Sequence, residues 1–313
     1  MTFDVFNDPL QGAGFVIILI FGPISILATI LRFVCSRISL RKHGKDDWMA
    51  LAAEVFYLGW ITGCMLGVAK LNGTHDILTM PPEKTIEVLK IIWVSSLMFP
   101  PNQLFAKLSI LFLYHRIFSI NKKFAAWMKV LGALQILVSV ISEFLNIFLC
   151  SPVEKAWNPM ITGGSCIHLG AMLSGTETCN SLLDFALAIF AVFALRTVKI
   201  QHSTKWKLSI VFLLAGAAGV IGFVKIGIAY QDLTVYNQLA MGLLATVQGA
   251  FSVICCCAIM YKPILSKLEP IGHFTSKLID YGSKIRLIGR NSSEKHRGSS
   301  DGGSGDIEFG GAR

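Results

Sequence analysis

The sequence predicts an all-α membrane protein: a seven-transmembrane-helix bundle with its N-terminus outside and its C-terminus in the cytoplasm. Two observations predict it. Seven mostly apolar windows recur along the chain, at residues 14–35, 48–68, 91–115, 125–149, 171–195, 208–230 and 238–261. Each is close to the ~20 residues that a bilayer-crossing helix needs. The basic residues between them are segregated by side. Arg32, Arg37, Arg41, Lys42, Lys45, Arg116, Lys122, Lys123, Lys129, Arg196, Lys199, Lys205 and Lys207 fall on one side, and Lys70, Lys84, Lys90 and Lys155 on the other. Cytoplasmic loops retain Lys and Arg, so the first group marks the cytoplasm. A mean hydropathy of +0.61 with 15% charged residues exceeds what a water-soluble core requires. The net charge of +9 then reflects topology and contact with anionic lipid, and no nucleic-acid partner is expected.

The chain divides into a short extracytoplasmic N-terminus (1–13), a membrane domain (14–263) and a basic cytoplasmic tail (264–313). The N-terminus carries Asp4 and Asp8 but no Lys or Arg, so it lacks the basic region of a cleavable signal, and the first window reads as a span. Asp46-Asp47-Trp48 opens the second span: Asp satisfies free N–H groups and the helix dipole, and Trp48 marks the interface. Asn72-Gly73-Thr74 beyond that span is an N-glycosylation sequon on the outer side, so close to the membrane that access of the transferase decides its occupancy. Pro100-Pro101 must kink the third span. Cys150 and Cys166 flank the loop CSPVEKAWNPMITGGSC in a compartment where disulfides persist; a bridge would pin that loop as a lid, with Trp157 as its packing residue.

Ala215/Gly219 and Ala218/Gly222 give the sixth span faces for close helix packing. Cys64 and Cys179 read as packing residues. Burial, rather than palmitoylation, is expected of Cys35, Cys255, Cys256 and Cys257, because free Cys behaves as a small hydrophobe. The seven histidines are scattered, so no metal site and no cofactor are expected. In the tail, 270–290 mixes basic and apolar residues as membrane-surface segments do, and 291–313 is rich in Gly and Ser, as disordered segments are.

Ionisable residues at mid-membrane are costly and need a partner or a role. Glu177, Asn180 and Asp184 line one face of the fifth span, extended by Ser174 and Ser181; that face must point into the bundle. Counting depth along alternating spans places Glu143, Glu177 and Lys225 in the outer half, with His75 and Asp232 capping that layer from loops. Asp184 and Gln248 fall near mid-depth. Lys107 and Glu54 fall in the inner half, where a structural ion pair between them is expected. Glu177, Asp184 and Glu143 are therefore the candidate catalytic residues, since carboxylates facing a cavity act as acid or base. Asn180, Lys225, Gln248, His75 and Asp232 are the candidate substrate-binding residues.

Gly44-Lys45-Asp46-Asp47-Trp48, Gly73-Thr74-His75, Lys107-Leu108-Ser109-Ile110, Tyr114-His115-Arg116-Ile117-Phe118, Cys150-Ser151-Pro152 with Trp157 and Cys166, Asn180 with Asp184, Asp232 with Tyr236, and Lys262-Pro263 follow one another in order. In this the chain resembles the fungal rhodopsin-like integral membrane proteins over about residues 31–265, a group that takes in a satratoxin-cluster membrane protein and relatives of an appressorium receptor. The chain departs from that pattern at Gln248, where the family often has a carboxylate, at Lys225, where it has Arg, and after Asp184, where a Pro is usual. A retinal Schiff base needs a Lys within the seventh span. Lys262 lies at its cytoplasmic end, so no retinal is expected.

The resemblance implies a fungal source and a place in secondary-metabolite biosynthesis, in the endoplasmic reticulum or the plasma membrane. The reading this favours is acid–base action on a hydrophobic small molecule in an intramembrane pocket, beside pathway enzymes. The alternatives are a non-retinal heptahelical receptor and, behind it, a metabolite exporter, since seven spans show no obvious carrier repeat.

Overall fold

A computed structural model describes residues 8–38, 43–71, 81–118, 122–197, 202–229 and 235–261, all within one compact unit, Met1–Lys262. Among the described residues there are eight α-helices: α1 (Pro9–Ile38), α2 (Lys45–Leu71), α3 (Pro82–Ser96), α4 (Phe99–Phe118), α5 (Lys122–Ile147), α6 (Leu169–Thr197), α7 (His202–Ala229) and α8 (Val235–Ala258). They form an up-and-down bundle. The third expected span is two helices, and it starts well before residue 91. The break at Leu97–Met98 has a direct cause. Pro100 and Pro101 lack the N–H groups that would bond the carbonyls of Ser96 and Leu97, so the helix ends and restarts with both prolines in its first turn.

Four described helical stretches, Pro9–Ile38, Lys45–Leu71, Lys122–Ile147 and Asn237–Tyr261, are long and apolar enough to cross a bilayer; Gly216–Ala229 is apolar but shorter. Their outward faces fit lipid. Leu19, Leu27, Leu137 and Phe144 are each more than half exposed, an arrangement that water would not tolerate. This is a helical membrane protein.

The expected all-α architecture needs one addition. Cys150–Ser151 (β1) pairs antiparallel with Ser165–Cys166 (β2), and the Cys150–Cys166 disulfide closes the loop between them. Gly164 adopts φ +80°, where a Cβ would collide with the Ser151 carbonyl. Lys155 Nζ ties the loop internally by donating to the carbonyls of Gly163 (2.9 Å) and Gly164 (3.0 Å). Trp157 packs on Trp93 of α3 with ring centroids 4.7 Å apart, as expected of the loop's packing residue.

At the opposite end of the bundle, Arg32 requires a correction. It stands at a window's edge and counts there as a loop charge, yet its side chain is wholly buried. Nε donates to Asp47 Oδ1 and Nη2 to Asp46 Oδ2, each at 3.0 Å, and Nη1 donates to the Cys256 carbonyl. Asp47 Oδ2 also accepts from the Gly44 N–H at 3.2 Å, the reach-back half of a capping box. The two acids therefore cap α2 and at the same time clamp it to α1 and α8. Cys35, Cys255, Cys256 and Cys257 are buried around this hub, as expected, whereas Cys179 faces outward rather than packing inside.

Removing the Arg32 guanidinium takes the buried counter-charge from two carboxylates and leaves beside them the partly exposed Arg116 (3.7 Å from Asp46) and His43 (3.8 Å from Asp47), a loss of up to about 3–5 kcal/mol. Arg32→Met is expected to lower the thermal midpoint of the purified protein sharply, and Arg32→Met with Asp46→Asn and Asp47→Asn to recover much of it; a thermal scan of the three proteins in one detergent checks this.

Candidate functional site

Towards the disulfide end the bundle encloses a cavity of about 380 Å³, within the size range of small-molecule sites. Its walls are mainly apolar and aromatic, with Trp60, Trp93 and Phe99 prominent. Ala156 of the disulfide-closed loop forms part of its rim. The polar groups are concentrated on two walls, one from α6 and α7 and one from α5.

The first wall contains the stripe read from the sequence. Ser174, Glu177, Ser181 and Asp184 are all buried on one face of α6. The glycines of α7 make this possible. A Cβ at Gly222 would overlap Ser181 Oγ and lie 3.4 Å from Glu177 Oε2, and one at Gly219 would press on Phe185. The small faces of α7 thus let α6 approach until Lys225 reaches Glu177. Lys225 Nζ donates to Glu177 Oε1 at 2.5 Å and to Gln248 Oε1 of α8 at 3.1 Å, and sits 4.5 Å from the centroid of the Phe99 ring. Glu177, Asn180 and Lys225 line the cavity. Gln248 stands behind them, fully buried, and orients the ammonium.

Two turns further along α6 a second pair repeats the arrangement. Lys107 Nζ of α4 lies 3.0 Å from Asp184 Oδ1 and donates to Asn180 Oδ1 at 2.6 Å and to the Asn180 carbonyl at 3.2 Å. The expected Lys107–Glu54 pair is therefore not formed. Asn102 and Ser109 turn towards α2, bonding the carbonyls of Ala53 and Asp46; Lys107, five residues from Asn102, points about 140° away, at α6. Glu54 instead faces α1, accepting from Ser25 at 3.0 Å and Thr29 at 3.3 Å. Asp184 belongs to the support beneath the cavity and not to its lining.

Glu143 also needs correction, because it joins neither Lys225 nor the cavity wall. The lining of α5 comes from Gln135, Ser139, Ser142 and Asn146, a stripe spaced four, three and four residues apart. Glu143 is turned about 80° from Gln135, at the stripe's edge. Sequence reasoning missed this second wall, although its spacing in an otherwise apolar span is the same signal that marked α6. Gln103 and Thr246 are also in the polar lining, with Ser95, Ser96, Thr176 and Gln238. Thr246 Oγ1 accepts from Trp60 Nε1 at 3.0 Å, and Gln103 Oε1 accepts from Ser252 at 3.0 Å. His75, Asp232 and the sequon residue Asn72 lie outside the described residues, as does the tail.

The lining carries unspent hydrogen-bonding capacity. Glu177 Oε2, Asn180 Nδ2 and Gln135 Oε1 are buried and make no hydrogen bond within the described protein. A buried polar atom left unmatched is costly, and these three are two acceptors and one N–H donor set in the walls of a mainly apolar space. Glu177 is the one group of the three able to exchange a proton. Among the described residues no group of His, Cys, Asp and Glu is arranged to hold a metal ion.

Comparison with known proteins agrees with this architecture. Wortmanamides biosynthesis cluster protein C of Talaromyces wortmannii is 31% identical over 269 residues, covering 85% of this chain and 74% of the relative. Satratoxin biosynthesis SC1 cluster protein 4 of Stachybotrys chartarum is 38% identical over 167 residues, 53% of this chain and 62% of the relative. A SAT4 family membrane protein of Emericella nidulans is 23% identical over 56% of this chain and 48% of the relative. No solved structure matches the chain. Residues 16–267 match the fungal rhodopsin domain, and with that match spanning most of its length the chain belongs to the fungal rhodopsin family of membrane proteins.

Proposed function

We propose that this protein crosses the membrane seven times, N-terminus outside and disulfide loop on the outer face, and acts on a neutral hydrophobic intermediate of a secondary-metabolite pathway. The observation that carries the proposal is the buried Glu177–Lys225 pair in the wall of a mainly apolar cavity, with Glu177 Oε2 left without a hydrogen bond. Two relatives named for biosynthesis clusters support the metabolic setting; the reading places the protein in the endoplasmic reticulum or the plasma membrane, beside pathway enzymes.

Charge bookkeeping favours a neutral ligand. Lys225 cancels Glu177 and Lys107 cancels Asp184, so a charged guest would leave water without a counter-charge, at a large desolvation cost. The mechanism then needs three groups. Glu177 Oε2 removes a proton from a carbon beside a ligand carbonyl. The negative charge that builds on the carbonyl oxygen is met by the N–H of Asn180, one turn along α6. Return of the same proton from Glu177 to another position completes an isomerisation, or a cyclisation in which the enolate attacks within the molecule. Lys225, held by Gln248, keeps Oε1 fixed and leaves Oε2 free of protein hydrogen bonds.

The receptor reading retains one specific support. Arg116, from Tyr114-His115-Arg116, lies 3.7 Å from Asp46, which links the end of α4 to the Arg32 hub as a signalling contact would be linked. A ligand-evoked cellular response that survives Glu177→Gln would favour it.

Metabolite profiling of a gene deletion is expected to show a precursor that accumulates and is converted when membranes carrying the protein are added. Glu177→Gln membranes at equal protein level should convert it about 100-fold more slowly or worse, the usual weight of a general acid–base group; unchanged conversion removes the acid–base role. Topology is checked separately with reporter tags, of which an N-terminal glycosylation tag should be modified and a C-terminal one should not.

A further inference from the structure

The cavity has a neighbour. On the other side of the α2–α3 contact lies a surface hollow of about 390 Å³ lined by Gly59, Gly63, Leu66, Val94, Ser95 and Met98. Its rim residues Leu66 and Val94 are 52% and 44% exposed, so this hollow faces the lipid. Gly63 and Ser95 line both spaces. One serine hydroxymethyl packed against one glycine is thus the partition between the bilayer and the cavity. The fit is close: any Cβ at Gly63 would overlap Ser95. No polar bond holds this point shut, because Ser95 Oγ donates within its own helix to the Ile91 carbonyl at 2.6 Å.

The helix bearing Ser95 is also a separate unit, joined to α5 by the bond that Trp93 Nε1 donates to the Asn146 carbonyl at 3.2 Å. α3 stops at Ser96, and Pro100 and Pro101 remove the N–H groups that would stitch it to α4. Such a proline break is an established cause of a kink between helical segments. At its far end α3 is tied to α2 by the Lys70–Glu87 pair, 2.7 Å apart and half exposed, a contact of small energetic weight. The route from the disulfide end is narrowed by the covalently closed loop, whose Ala156 forms part of the rim and whose Trp157 rests on Trp93.

We infer that the α2–α3 seam is a lateral portal: a neutral, lipid-soluble molecule lodges in the outer groove and passes between Gly63 and Ser95 into the cavity as the end of α3, released from α4 at the proline break, parts from α2. The portal rests on the reading of the cavity as a small-molecule site, and its test separates the two.

A covalent staple supplies that test. A Cβ at Gly59 would lie 3.9 Å from Met98 Cβ, a separation suited to a disulfide, and the two residues straddle the groove. The Gly59→Cys/Met98→Cys protein in lipid nanodiscs is mixed with 3-hydroxyflavone, a neutral apolar fluorophore bearing a hydroxyl and a carbonyl, and followed by stopped-flow fluorescence. The parent and both single-cysteine proteins, under the same oxidant and reductant, control for the native disulfide. Oxidation of the double variant should slow association and dissociation alike by about tenfold or more, as gating does, leave equilibrium occupancy unchanged, and be reversed by reductant. Val94→Trp, a change at an exposed groove residue, should slow association without any crosslink. Rates indifferent to both changes would overturn the portal and leave the groove as a seat for acyl chains. Loss of equilibrium binding on stapling would overturn it too, by making the seam part of the site. Absence of saturable binding in the parent would reject the cavity reading itself, and the portal with it.

Discussion

Lipid cannot solvate a charge, and this chain answers that constraint with lysine–carboxylate pairs set inside the bundle. Lys225 reaches from α7 to Glu177 on α6 and to Gln248 on α8. Lys107 reaches from α4 to Asp184 and Asn180 on α6. α6 is therefore bound to α7 and α4 through one polar face, and through Lys225 to α8, and that face would have no stable place if it were turned outward. At the far end Arg32 does the same for α1, α2 and α8. Close packing follows from these ties: Gly219 and Gly222 are needed because α6 must come near enough for the ammonium of Lys225 to meet its carboxylate.

The site arises from what the pairing leaves over. Each lysine engages one oxygen of its carboxylate, so Glu177 keeps a second oxygen without a hydrogen bond in the wall of an apolar space of about 380 Å³. Across that space, α5 contributes uncharged donors and acceptors, and the disulfide-closed loop narrows the end. A cavity that is electrically balanced, largely apolar and furnished with one proton-exchanging group suits a neutral molecule of low water solubility. Such a molecule dissolves first in the bilayer, which is where the α2–α3 groove opens.

Much of this was legible in the sequence, and the failures have a common cause. Apolar windows reveal helices because the bilayer sets their length, and the Glu177–Asn180–Asp184 spacing reveals a buried face because helix geometry is fixed. Depth counting brought Lys225 to Glu177 correctly, since it locates groups along the membrane normal. It gives no azimuth, and so it matched Lys107 with Glu54 when Lys107 points round to Asp184, and grouped Glu143 with a wall it does not join. Arg32 was misread for a related reason: an arginine at a window's edge looks the same whether it snorkels to the interface or turns inward to meet Asp46 and Asp47. The α5 wall escaped notice because Gln135, Ser139, Ser142 and Asn146 carry no charge, although their spacing was in plain view.

The most direct measurement is the identity of what the cavity holds. The protein purified in mild detergent from fungal membranes that produce the pathway's compounds would be extracted with organic solvent and the extract analysed by mass spectrometry. A Gly67→Leu variant, whose added side chain enters open space beside the cavity, would be treated alike. The account predicts a neutral apolar compound bearing hydroxyl or carbonyl oxygen, retained by the parent at near one per chain and depleted in the variant. Recovery of bulk phospholipid alone, in equal amounts from both proteins, would contradict it.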